Sequence, residues 1–136
     1  MMRRSTSRLI LAAAALSAAA CSEPTSPPTW VMIGPTDFVV PAVAAANDTV
    51  NITFRYDNSC GGRSVTQRLL DDRLEISVLA EVQHPGMLCP AVIVITTGAA
   101  RLMPGQHGPD FSVVFRQPSG VDSVRVIRRP ATASAR

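Results

Sequence analysis

The sequence predicts an all-β domain, a single small sandwich of two antiparallel sheets. Three observations carry that expectation. First, Val50, Ile52, Phe54 and Tyr56 alternate with Asn51, Thr53 and Arg55. Successive side chains of a strand point to opposite faces, so Phe54 belongs to a core and Arg55 to solvent. A helix would group positions three and four apart instead. Second, the runs are separated by turn chemistry: Asp57-Asn58, Gly61-Gly62, Asp71-Asp72, Pro85-Gly86, Pro104-Gly105, Gly108-Pro109 and Pro118-Ser119-Gly120. Third, 136 residues suit one domain rather than two.

The remaining elements follow in chain order. Trp30 to Ile33 and Phe38 to Val40 are short strand candidates at the front. Residues 42–46 have the composition of a helical turn, boxed in by Pro41 and Asn47-Asp48. Leu74, Ile76, Val78, Ala80 and Val82 alternate with Glu75, Ser77 and Glu81 in a second half-buried strand. Residues 91–95 are continuously apolar, the pattern of a strand covered on both faces. Phe111, Val113 and Phe115 alternate with Ser112 and Arg116, and Val124 and Val126 with Ser123 and Arg125. Antiparallel sheets with one solvated face produce this alternation. The domain is expected over residues 30–130, with a flexible tail at 131–136. Only six residues are aromatic (Trp30, Tyr56 and four Phe), so Val, Ile and Leu must supply most of the core.

The first twenty residues are of another kind. Arg3, Arg4 and Arg8 precede an apolar run over residues 9–20, which ends in small side chains. That run falls short of the roughly 20 residues a bilayer span needs. It has the length and flanks of a signal-peptide helix, with cleavage expected after residue 20. Arg3-Arg4 hints at twin-arginine export, but Ser5-Thr6-Ser7 fits that signal poorly. Removing 1–20 also removes the positive balance: the ten arginines left match the ten acidic residues. Nucleic acid is therefore not an expected partner, since binding it needs a basic patch on the folded domain.

Ala18-Ala19-Ala20-Cys21 resembles the lipobox of bacterial lipoproteins. The resemblance implies that Cys21 receives a lipid and becomes the mature N-terminus, so that the membrane is a partner through that lipid. The family favours Leu three positions before the cysteine; here that position is Ala18, with Leu16 further upstream. The same residues satisfy the A-x-A rule for ordinary cleavage, which would release a soluble protein. Residues 22–29 are polar and proline-rich, so 21–29 reads as a tether. Extended at about 3.1 Å per residue, 22–29 spans roughly 25 Å. Ser22, where family members kept at the inner membrane tend to carry Asp, implies the outer membrane. The strand leading to Cys60, the later Cys89 and the Pro104-Gly105 turn before Phe111 resemble a group of small uncharacterised bacterial lipoproteins. The layout is immunoglobulin-like, although the immunoglobulin signature is missing: no Trp lies between Cys60 and Cys89.

Three cysteines in an exported protein leave one unpaired. Cys60 and Cys89 lack any C-x-x-C spacing, so a structural disulfide is expected there rather than a metal or redox pair. Closing that loop is worth roughly 3–4 kcal/mol in the chain-entropy model. Cys21 is then the odd thiol, which lipidation would remove. His84 and His107 are expected to be solvated loop residues, His107 lying three positions before Asp110. Asp71, Asp72 and Glu75 form an acidic group without the spacing of a calcium loop. Ser64 lacks the G-x-S-x-G context of a hydrolase nucleophile.

No catalytic residue, metal ligand or cofactor is therefore expected. The leading expectation is a lipid-tethered binding or structural module of the cell envelope, with an envelope protein or glycan as partner. The alternative is a soluble periplasmic or secreted domain, acting as an inhibitor through the Cys89-Pro90 or 104–109 loop or as an enzyme without a recognisable motif. A deep polar cleft holding a histidine and an acid would favour the enzyme, and a protruding rigid loop the binder or inhibitor.

Overall fold

The computed structural model describes residues 26–131. Residues 1–25, where the signal segment, the lipidation site Cys21 and the start of a tether are expected, and residues 132–136, in the expected tail, lie outside the described residues. Among the described residues every regular element is a strand. These are β1 (Trp30–Met32), β2 (Thr36–Val39), β3 (Val50–Asp57), β4 (Arg63–Leu69), β5 (Arg73–Glu81), β6 (Ile95–Leu102), β7 (Phe111–Phe115) and β8 (Ser123–Ile127). They form a five-stranded sheet of β1, β4, β5, β7 and β8, and a three-stranded sheet in the order β2-β3-β6. The architecture is an all-β two-sheet sandwich.

Strand β5 organises the larger sheet. β4 pairs along one of its edges, Arg63 opposite Ala80 through Leu69 opposite Leu74. β1 and β7 pair with different ends of β5, β1 at Leu79–Glu81 and β7 at Arg73–Ile76. The β5–β7 pair is parallel, a departure from an all-antiparallel arrangement. Its cause is the route of the chain: β6 intervenes in the opposite sheet, and a parallel pair needs such a long crossover. After β1 the chain also changes sheets. The Ile33 N–H still bonds Val78 O, and the chain then turns at Gly34 (φ 70°) towards β2. A Cβ on Gly34 would meet the Gln117 side chain and Pro118.

The core lies between the sheets. β3 contributes Val50, Ile52 and Phe54, β5 contributes Leu74, Ile76 and Val78, and β7 contributes Phe111, Val113 and Phe115. Phe115 is the junction. Its ring stacks on Phe38 at 4.1 Å between centroids and meets Phe54 at 6.1 Å, tilted by 60°. Arg55 stands outside, paired with Asp37 at 3.5 Å. Both long alternating runs thus face as their sequence predicts, up to the end of β5; Val82 lies beyond it and is exposed.

Three local expectations are corrected, and two strands appear that the sequence pattern did not announce. Residues 91–95 are exposed and are not a buried strand; β6 begins only at Ile95. The inward positions of β6, across from Tyr56, Phe54, Ile52 and Val50, are Thr96, Gly98, Ala100 and Leu102. Their small size hides the strand in the sequence. β4 shows no alternation because it is an edge strand with most residues exposed. In β8 the faces are reversed: Val124 and Val126 are exposed, while Ile127 is buried opposite Phe111. Arg125 takes the inward side and lays its guanidinium 5.5 Å from the Phe38 ring centroid, keeping its charge at the rim of the core. Residues 42–46 form no helix; Val43 bridges Arg128 in parallel, and Ala44 is buried.

Candidate functional site

The most distinctive surface is the loop of residues 82–94, between β5 and β6. It is fixed at several points. Cys60 and Cys89 are disulfide-bonded, 29 positions apart with Cα atoms at 4.7 Å. Met87 Sδ lies 3.5 Å from Cys60 Sγ. Met87 N–H bonds His84 O across the Pro85-Gly86 turn. At its start, Val82 N–H donates to Thr29 O at 2.7 Å. At its end, Val94 N–H donates to Ser59 Oγ at 2.8 Å, and Asn58 N–H to Val94 O at 2.7 Å.

The turn that receives these bonds is itself locked. Ser59 donates its hydroxyl and, at 2.8 Å, its N–H to the Asp57 carboxylate. Arg63 donates Nε–H to Asp57 O at 2.6 Å and Nη1–H to Cys60 O and Gly62 O. The two Ser59 bonds, hydroxyl first, hold the Asp57 carboxyl below its usual value, with help from the Arg63 charge and against a small desolvation. With a longer bond to Gly61 O at 3.5 Å, one guanidinium thus reaches four carbonyls, and the turn supports Cys60.

What the pinned loop displays is apolar. Leu88 is 94% exposed, Val92 67% and Ile93 80%. Residues 82–94 contain no Asp, Glu, Lys or Arg. Contiguous exposed apolar residues on a rigid support mark a contact surface, because water alone does not favour that arrangement.

A second feature lies on the outer face of the larger sheet. Arg68, Glu75, Arg116 and Asp122 line an open groove of about 380 Å³ with Met32, Thr66 and Ser77. Glu75 is held by Arg73 Nε at 2.8 Å and Arg116 Nη2 at 3.0 Å, and its side chain is only 11% exposed. Arg116 also reaches Asp122 at 2.6 Å. Hydrogen bonds from Arg73 and then Arg116 pull the Glu75 carboxyl below its usual value, while Glu75 and then Asp122 raise Arg116. Charges already paired in this way present a fixed polar pattern.

The other sequence candidates are dispersed. His84 is exposed at the loop root, 3.8 Å from Glu81. They share an open hollow of about 510 Å³ with Ser26, Pro27, Pro28 and Thr29. His107 is buried, contrary to the expectation of a solvated residue. Nε2 lies 3.0 Å from Asp48 O, and Arg129 reaches Nδ1 at 3.4 Å and His107 O at 2.7 Å. Arg129 can only donate, so Nδ1 accepts and Nε2 carries the hydrogen. The ring ties the chain before β3 to the chain after β8, a structural role. Asp110 sits in the turn before β7 at φ 52°. Asp72 pairs loosely with Arg73, while Glu75 turns to the groove. Among the described residues no three His, Cys, Asp or Glu converge as metal ligands would. The sequence reading missed the Arg63 clamp and the Arg116–Asp122 pair; the only signal for either was an arginine beside a turn.

Fold and surface together define a small β-sandwich with a disulfide-pinned apolar loop at one end and a charged groove on its flank. No family model, curated protein or solved structure matches the chain.

Proposed function

We propose that the chain is an exported lipoprotein of the cell envelope, acylated on Cys21, whose sandwich is a binding or structural module rather than an enzyme. The observation that carries this reading is the pairing of Cys60 with Cys89. It leaves Cys21 as the odd cysteine, directly after Ala18-Ala19-Ala20. A free thiol at the start of an exported chain is reactive and prone to mispairing, and acylation removes it. Outer-membrane placement follows from Ser22 under the same resemblance. The partner surface is the charged groove around Glu75 and Arg116, whose pre-paired charges line an open hollow and suit an envelope protein or a glycan.

The test is metabolic labelling with palmitate of cells expressing the full chain. The wild type should carry the label and partition into detergent, and Cys21→Ala should lose the label. An unlabelled wild type that is cleaved and released would instead favour a soluble domain. The protruding Cys89-Pro90 segment would then make an inhibitor the next reading.

A further inference from the structure

We infer that the apolar loop of residues 82–94 rests in the bilayer interface and acts as a second, non-covalent membrane contact that orients the sandwich; this rests on Cys21 acylation. Three observations converge. The first is position. β1 enters antiparallel to β5, with Trp30 opposite Glu81, so the tether and the loop leave the sandwich at the same end. Thr29 O accepts the hydrogen bond of Val82 N–H, and Ser26, Pro27 and Pro28 line one open hollow with Val82, Gln83 and His84. The anchored cysteine is eight residues before Thr29, roughly 25 Å of extended chain at about 3.1 Å per residue. The lipid is therefore tethered from the same end of the sandwich as the loop, within reach of it.

The second is chemistry. Leu88, Val92 and Ile93 project into solvent from a segment without a formal charge. Charged side chains are what make interfacial burial costly, and apolar area is what drives it. The sole tryptophan, Trp30, is part-exposed at the same end, and tryptophan favours the headgroup level. The third is rigidity. The disulfide and the Ser59–Val94 bonds hold the loop before any contact forms, so docking orders little additional chain. A docked loop would leave the Glu75–Arg116 groove facing sideways along the membrane, open to a partner.

The test uses the full chain, processed and purified from host membranes and reconstituted in phosphatidylcholine–phosphatidylglycerol vesicles. Trp30→Phe with Leu88→Trp moves the only indole to the loop tip. Acyl chains brominated near the headgroup should quench that indole, and its emission should shift to the blue. Adding Ile93→Asp should reduce both effects. Lipidated protein that floats with vesicles while the indole stays unquenched, or equal quenching with and without Ile93→Asp, overturns the inference and leaves the anchor standing. Burial of the indole only when envelope protein is added overturns it in favour of a protein partner. Mass spectrometry of the same preparation separates the failures: absence of lipid on Cys21 overturns the anchor and this inference with it.

Discussion

Gly98→Ala tests the packing that defines the sandwich. Gly98 lies across from Phe54 in the β3–β6 pair. A Cβ there would stand 2.5 Å from Phe54 Cζ, 3.1 Å from Cδ2 and closer still to Cε2. The ring has little room to retreat, because Phe54 is fully buried with Phe115 at 6.1 Å and Tyr56 at 6.2 Å. Overpacking of this kind costs about 1–3 kcal/mol. Replacing a strand glycine by alanine recovers about 0.5–1 kcal/mol of backbone entropy. The net expectation is a loss of about 1–2 kcal/mol. At about 4–8 °C per kcal/mol for a domain of this size, the melting temperature should fall by several degrees. Urea unfolding followed by circular dichroism reads the change. Phe54→Leu combined with Gly98→Ala should cost less than the two single changes added together, because the smaller side chain relieves the clash. A Gly98→Ala variant as stable as the wild type, or strict additivity in the double variant, would refute the reasoning.

Three further outcomes follow from the same geometry. Replacing Cys60 and Cys89 by Ser together should lower stability by roughly 3–4 kcal/mol and open residues 82–94 to protease, measured by urea midpoint and by the site of first cleavage. Asp57 and Glu75 are depressed below ordinary values of 3.8 and 4.5. The unfolded chain therefore binds more protons, so their stabilisation is complete above those values and is lost as pH falls through the lower folded ones. Urea midpoints measured through that range should drop on acidification, and Asp57→Asn should flatten part of the slope. In β8, Ile127→Ala should cost about 2–5 kcal/mol and Val126→Ala about half a kcal/mol or less, which thermal melts can distinguish.

The long strands were legible because one face of each is covered and the other wet. β3 and β5 show this as strict alternation, and Phe54 and Arg55 stand where it puts them; β7 alternates only from Phe111 to Val113, because Val114 is buried on the second face. β4 and β6 were illegible for a different reason in each case. β4 is an edge strand with little to bury, and β6 meets its large neighbours with Thr96, Gly98 and Ala100, since Phe54 already fills the space. The reversal in β8 depends on register against β7, which only long-range pairing sets. The apolar run 91–95 misled because continuous apolar sequence signals burial only when something covers it; here it lies on a loop. The disulfide was legible from cysteine counting. The Arg63 clamp and the Glu75–Arg116–Asp122 groove were not, because they join residues through tertiary contacts that no local spacing encodes.

The anchor is the claim on which both the proposed function and the loop orientation rest. The most direct measurement is the mass of the N-terminal peptide of the protein extracted from membranes of cells expressing the full chain. That peptide should begin at Cys21 and carry a thioether-linked diacylglyceryl group. An N-terminus at Cys21 with an unmodified thiol, or a chain that still begins at Met1, would contradict the anchor.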